Sequence, residues 1–374
     1  MSYGLYVDSS GTLYVSDNTY HRVTKWLRNT IIGIVAAGNG IAGSTLEQLD
    51  SPQGVWVDGS GNLFVADTLN HRVVKWTNNA TSGIVVAGGQ DGTLVIPSID
   101  PTSNIGGSSL SQIGQVLALF LDRTTNTIYL SDTGLYCLTN PCSSQSNNYR
   151  VLEWPLNGAS AGTTVAGSNW VGFTDTQIGI SYGLYVDSSG TLFVADSTYH
   201  QVTKWLRNTI IGIIAAGNGI AGSTLEQLNS PQGVWVDGSG NLLVADTLNH
   251  RVVKWTNNAT SGIVIAGGQG QGSYSVQLNA PTAIIVDDHE NLFILDAGNQ
   301  RIMQYSRGSS FGVTVFGGSN DNGFGTVANS MVMDRSGNLY VADMSRNRVQ
   351  QIPIITSSVC IGITSTTVPS ITSE

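Results

Sequence analysis

The sequence predicts an all-β chain built as a radial array of short four-stranded antiparallel sheets, and three observations predict it. The stretch Val57–Trp76, V-D-G-S-G-N-L-F-V-A-D-T-L-N-H-R-V-V-K-W, alternates short apolar runs with turn chemistry, and an apolar run at Gly83–Ala87 follows. That pattern is a four-stranded meander. Copies of it recur along the 374 residues at a spacing of about 50, and a linear stack of such units would leave sheet edges and apolar end faces exposed. Only 11% of residues are charged and 45 are glycine, as expected of tight turns joining sheets covered on both faces. A closed ring of blades, a β-propeller, satisfies all three, with helical content close to nil.

Taken in order, each copy opens on an inner strand that ends in a Val-Asp, Leu-Asp or Met-Asp pair, and a second Asp follows nine or ten residues later. The pairs are Asp8/Asp17, Asp58/Asp67, Asp122/Asp132, Asp187/Asp196, Asp237/Asp246, Asp287/Asp296 and Asp334/Asp343. Seven pairs favour seven blades, with six as the alternative because part of the chain is duplicated. The first Asp stands where a carboxylate caps the amides of a Ser-Gly type turn. The second precedes a loop and has a basic or amide residue within reach on the next strand: Arg22, Arg72, Arg150, Gln201, Arg251, Arg301 and Arg348. Four positions on come Trp26, Trp76, Trp154, Trp205, Trp255, Tyr305 and Ile352. Seven copies of one arrangement read as scaffold rather than as seven acid/base or calcium sites.

The motif V-D-x-x-G-N-L-x-V-A-D-T-x-N-H-R-V resembles the NHL repeat, and the resemblance runs from about Tyr3 to Ile352. It implies a propeller over residues 1–355, followed by a Ser/Thr-rich tail, 356–374, in which Val359–Thr364 is expected to supply the last outer strand. Other propellers of related repeats raise three expectations. Some bind RNA through a basic face, some are metal-dependent peptide-amidating lyases, and some are the substrate-recognition end of TRIM-type ubiquitin ligases.

Residues Tyr3–Gln90 recur as Tyr182–Gln269, shifted by 179 with eight differences in 88 positions, of which Arg22 against Gln201 and Asp50 against Asn229 each remove a charge. Spacers such as Asn39–Gln53 lead from one blade to the next, and Pro52, Pro231 and Pro281 are expected just before the inner strands, where a missing amide donor is tolerated. The spacer Gln90–Gln115 is longer and is expected to protrude. In the third copy the usual short loop becomes Thr133–Tyr149, which holds Cys137 and Cys142. A disulfide between them is the favoured reading, with free thiols and half of a metal site as alternatives, and a disulfide would imply an oxidising compartment. Sequons at Asn79 and Asn258 point the same way, toward an extracellular or cell-surface location, with a cytoplasmic one as the alternative. The chain begins inside a strand, so it is expected to be a piece of a longer protein.

Function is less legible. A net charge of −9, with four lysines in all, argues against a nucleic-acid surface, and no apolar run is long enough for a spanning helix. Four of five histidines, His21, His71, His200 and His250, share one repeat position; a lyase would use them as metal ligands, whereas the repeat alone accounts for them. The gluconolactonase type of hydrolase needs a Glu at the start of an inner strand, and none stands there. The expectation is therefore a non-catalytic, monomeric scaffold without cofactor or metal, binding a protein or glycan partner. The binding face would be that of the loops between second and third strands, displaying Tyr20, Asn70, Tyr136, Tyr199, Asn249, Asn299 and Asn347. The amidating-lyase and ubiquitin-ligase readings are kept as alternatives.

Overall fold

The computed structural model describes residues 4–28, 30, 32–88, 116–122, 125, 127–132, 148–155, 162–168, 171–172, 174–318, 328–334, 337–343, 348–352 and 366–367. They form seven four-stranded antiparallel sheets, each made of four strands consecutive in sequence. The inner strands are Leu5–Val7, Pro52–Val57, Val116–Asp122, Ser181–Val186, Pro231–Val236, Pro281–Val286 and Ala328–Met333, which number blades one to seven. Each inner strand touches the next, and the seventh returns to the first, so the ring is closed. The only helical elements among the described residues are three-residue 3-10 turns at Thr68–Asn70, Thr247–Asn249 and Ala297–Asn299.

The core lies between blades, because each sheet has two apolar faces to bury. One buried cluster fills each of the gaps around the ring, from the blade one/two cluster around Val57, Val65 and Trp76 onward. The gap between blades seven and one is filled by Tyr340 against Leu5, Leu13 and Val15. Closure there rests on side-chain packing, since no strand is exchanged between the first and last sheets. In four blades the Trp at or near the end of the third strand is the largest wedge in these gaps: Trp76, Trp154, Trp205 and Trp255 are at most 2% exposed. The chain crosses close over the ring at Gly83, where any Cβ would collide with the Val74 and Trp76 side chains. Inner-strand aromatics of five successive blades also form a belt, with ring centroids 4.6 Å apart for Tyr6–Trp56, 5.8 Å for Trp56–Phe120, 6.0 Å for Phe120–Tyr185 and 5.5 Å for Tyr185–Trp235.

One expectation shifts. Pro52, Pro231 and Pro281 are the first residues of their inner strands, each opposite the second Asp of its blade, rather than preceding the strand. The outer strand of blade seven is Thr366–Thr367, within the tail, paired with Gln351 and Gln350. Val359–Thr364 lies outside the described residues. Cys137, Cys142 and the spacer 89–115 lie outside the described residues.

Candidate functional site

The two Asp sets lie on opposite faces of the ring. At the first-to-second strand turns the carboxylate staples the turn: Asp58 Oδ1 accepts the amides of Ser60 (2.9 Å) and Asn62 (2.8 Å), and its Oδ2 accepts Asn62 Nδ2 (2.7 Å). Asp8, Asp187, Asp237 and Asp287 repeat this.

On the other face the second Asp ends the second strand and is buried. In blade two, Asp67 Oδ1 accepts the Asp50 amide (2.5 Å), while Oδ2 accepts Asn70 Nδ2 (2.9 Å) and Arg72 Nε (2.6 Å). Arg72 then reaches on: Nη1 donates to Ser44 O (2.6 Å), and Nη2 to Thr45 O (2.9 Å) and Gln48 O (3.0 Å). One guanidinium thus fastens the second Asp to the spacer that precedes the blade. Asp246 with Arg251, and Asp296 with Arg301, form the same lock at 2.7 Å each. In blade three Arg150 Nε donates to Asp132 at 3.0 Å, and in blade seven Asp343 and Arg348 are register partners. Burial pushes the Asp67, Asp246 and Asp296 carboxyls up, and the Arg, Asn and backbone donors oppose that push.

Blades one and four depart from the lock. Arg22 Nε stands 4.0 Å from Asp17 Oδ2, and its guanidinium lies 5.3 Å from the Tyr20 ring centroid. Gln201 replaces the arginine in blade four, so Asp196 is held by backbone amides instead: Gly179 (2.7 Å), Tyr199 (2.9 Å) and Thr198 (3.1 Å). Burial with no cation beside it raises this carboxyl to about 6.

The repeat histidines clamp blade to blade. His21, His71, His200 and His250 all adopt left-handed φ of 46° to 55°. Nδ1 of His21, His200 and His250 accepts the amide of Ser51 (3.2 Å), Ser230 (3.0 Å) and Ala280 (3.0 Å), each at the start of the next blade. A nitrogen that accepts an amide proton has no lone pair left for a metal, so this geometry favours the structural reading of the repeat His. Among the described residues no three His, Cys, Asp or Glu groups are arranged to hold a metal ion.

The residues expected on the binding face fall into three groups. Asn70, Asn249 and Asn299 turn inward: each Nδ2 donates to the second Asp of its own blade and to the carbonyl of Gly43, Gly222 or Gly272, which commits it to the repeat. Tyr20 is 39% exposed and Tyr199 half-buried. Tyr136 and Asn347 lie outside the described residues. Sequence reasoning missed the residues beside the asparagines, Leu69 and Leu248, which project from the same loops at 55% and 54% exposure. A leucine inside an otherwise polar four-residue loop was the available signal. The sequon residues Asn79 and Asn258 are exposed, at left-handed φ of 60° and 62°, in the third-to-fourth strand turns.

In comparisons with known proteins, the NHL repeat model matches residues 49–76 and 228–255, which are the equivalent parts of blades two and five. No curated protein matches the chain in sequence. Among solved structures, the chain is similar to a catalytically inactive virginiamycin B lyase from Staphylococcus aureus with quinupristin, with a TM-score of 0.60, 9% identity and 95% of each chain covered. A streptogramin B lyase aligns with a TM-score of 0.55 and 10% identity over 91% of this chain and 90% of that one. A protein of unknown function from Bacteroides thetaiotaomicron aligns with a TM-score of 0.50 and 15% identity over 82% of this chain and 69% of that one. At such identities the likeness is one of fold. The chain is a seven-bladed β-propeller that carries NHL-repeat matches in blades two and five.

Proposed function

We propose that this propeller is a non-catalytic interaction scaffold that binds a protein or glycan partner through the face of its second-to-third strand loops. The observation that supports the reading is how the polar groups of that face are used. The carboxylates of Asp67, Asp246 and Asp296 hold amides and an arginine, those arginines hold spacer carbonyls, and three of the four repeat histidines hold the next blade. Groups spent on the scaffold are poor general acids, bases or ligands, whereas apolar and aromatic side chains at loop tips suit recognition. Tyr20, Leu69 and Leu248 are such tips, and a rigid ring presents them with little ordering cost.

The test is direct. A glycan array and a cross-linking screen of the source organism's own extract are probed with the wild-type chain and with a Tyr20→Ala/Leu69→Ser/Leu248→Ser variant. A partner retained by the first and lost by the second, at unchanged melting temperature, supports the reading. Equal retention refutes the assignment of the face. Stoichiometric metal together with lyase turnover on a peptide substrate would replace the scaffold reading by the enzymatic one.

A further inference from the structure

Between blades five and six the regular packing gives way to a cleft of about 690 Å³, within the range of small-molecule pockets. The wedge at the end of the third strand is smaller here, Tyr305 in place of Trp255, and its hydroxyl donates to Ser275 O at 3.1 Å.

Leu243, Val264, Val286, Leu292 and Tyr305 line the apolar body of the cleft. Its mouth is built from the first-to-second and third-to-fourth strand turns, at the face opposite the loops, and carries one ion pair from each blade. Lys254 Nζ lies 2.8 Å from Asp237 Oδ2, and Arg307 Nε lies 3.1 Å from Glu290 Oε2. The hydrogen-bond inventory there is lopsided. Asp237 is saturated: Oδ1 accepts Ser239 N, Asn241 N and Asn241 Nδ2, and Oδ2 accepts Asn241 Nδ2 and Lys254 Nζ. The donors are not. Nη1 and Nη2 of Arg307, two N–H groups of Lys254 and the hydroxyls of Ser306 and Ser310 make no hydrogen bond to the described residues. The Arg307 side chain is 76% exposed, so its fork is open to a ligand.

We propose that the blade five/six cleft binds a small organic carboxylate with an apolar body, its carboxylate taken by Arg307 and Lys254 and its body packed on Leu243, Val286, Leu292 and Tyr305. Guanidinium matches carboxylate in a two-point fork, and Arg307, with Nε on Glu290, keeps both Nη groups for it. The proposal is independent of the loop face and of any partner bound there.

Isothermal titration with 3-phenylpropionate, and with uncharged 3-phenylpropanol as control, tests it on the full chain. The carboxylate should bind saturably at one site, the alcohol about tenfold or more weaker, since each lost charge-assisted bond is worth about that factor. Arg307→Gln should weaken the carboxylate by a similar factor. Absence of saturable binding, equal affinity for acid and alcohol, or indifference to Arg307→Gln would overturn the proposal.

Discussion

Blades four and five share strand register around their second Asp and differ in the cation beside it. In both, the second Asp pairs in register with the first residue of the third strand, Asp196 with Gln201 and Asp246 with Arg251. In both the carboxyl is fully buried. Blade five answers the buried charge with Arg251, Asn249 and the Asn229 amide, and the arginine goes on to grip three spacer carbonyls. Blade four answers it with three amides alone. The arginine is therefore no requirement for blade geometry. Its work is to hold the carboxylate ionised and to sew the spacer to the blade, and where it is missing the carboxyl drifts up to about 6.

Breaking the lock of blade five should have the largest effect. Arg251→Ala leaves Asp246 buried without its cation and frees three spacer carbonyls, so a loss of about 3–5 kcal/mol is expected from the denaturant midpoint and slope. Installing the lock in blade four sharpens the comparison from the other side. The spacer entering it keeps the motif that receives the arginine elsewhere, with Thr174 Oγ1 donating to Gln177 Oε1 at 2.9 Å as Thr224 does to Gln227 at 3.2 Å. Gln201→Arg should then stabilise the chain at neutral pH by about 1.5–3 kcal/mol, the worth of a hydrogen bond to a charged group. Asp58→Ala, at the opposite face, loses a turn staple of three hydrogen bonds in a partly exposed setting and should cost about 1–2 kcal/mol in thermal unfolding. His250→Gln should be mildest, below about 1 kcal/mol, because Gln300 occupies the same left-handed position in blade six with φ 55°. A metal-dependent change in melting temperature for that variant would instead point to ligation.

Much of this was legible in the sequence, for reasons the same two blades illustrate. The spacing of Asp237 and Asp246 sets turn and strand lengths, so the seven four-stranded units and the Asp–Arg pairing follow from periodicity. The direction of Asn249 does not follow from it. Asparagine in a loop serves equally as display or as internal donor, and only the nearness of Asp246 and Gly222 O decides for the latter. The same ambiguity hid Leu248, one residue earlier, whose exposure depends on the 3-10 turn that carries it. The blade five/six cleft escaped notice because the residues that line it, Leu243, Val286 and Tyr305 among them, are far apart in sequence and meet only in the fold.

The central claim, that one missing cation separates blade four from blade five, is tested most directly by the pH dependence of unfolding in the wild-type chain and in Gln201→Arg. A folded-state value near 6 lies above the unfolded 3.8, so Asp196 favours the folded state most when protonated. That contribution is fully present below about pH 4 and is lost as pH rises through about 6, a swing of at most about 3 kcal/mol at 1.36 kcal/mol for each unit. Arginine at position 201 should pull the Asp196 carboxyl down and reduce that loss. The stability gained by Gln201→Arg is thus predicted to be near zero at pH 4, to grow between pH 4 and 6.5, and to level off above. Parallel curves for the two proteins across that range would contradict the account.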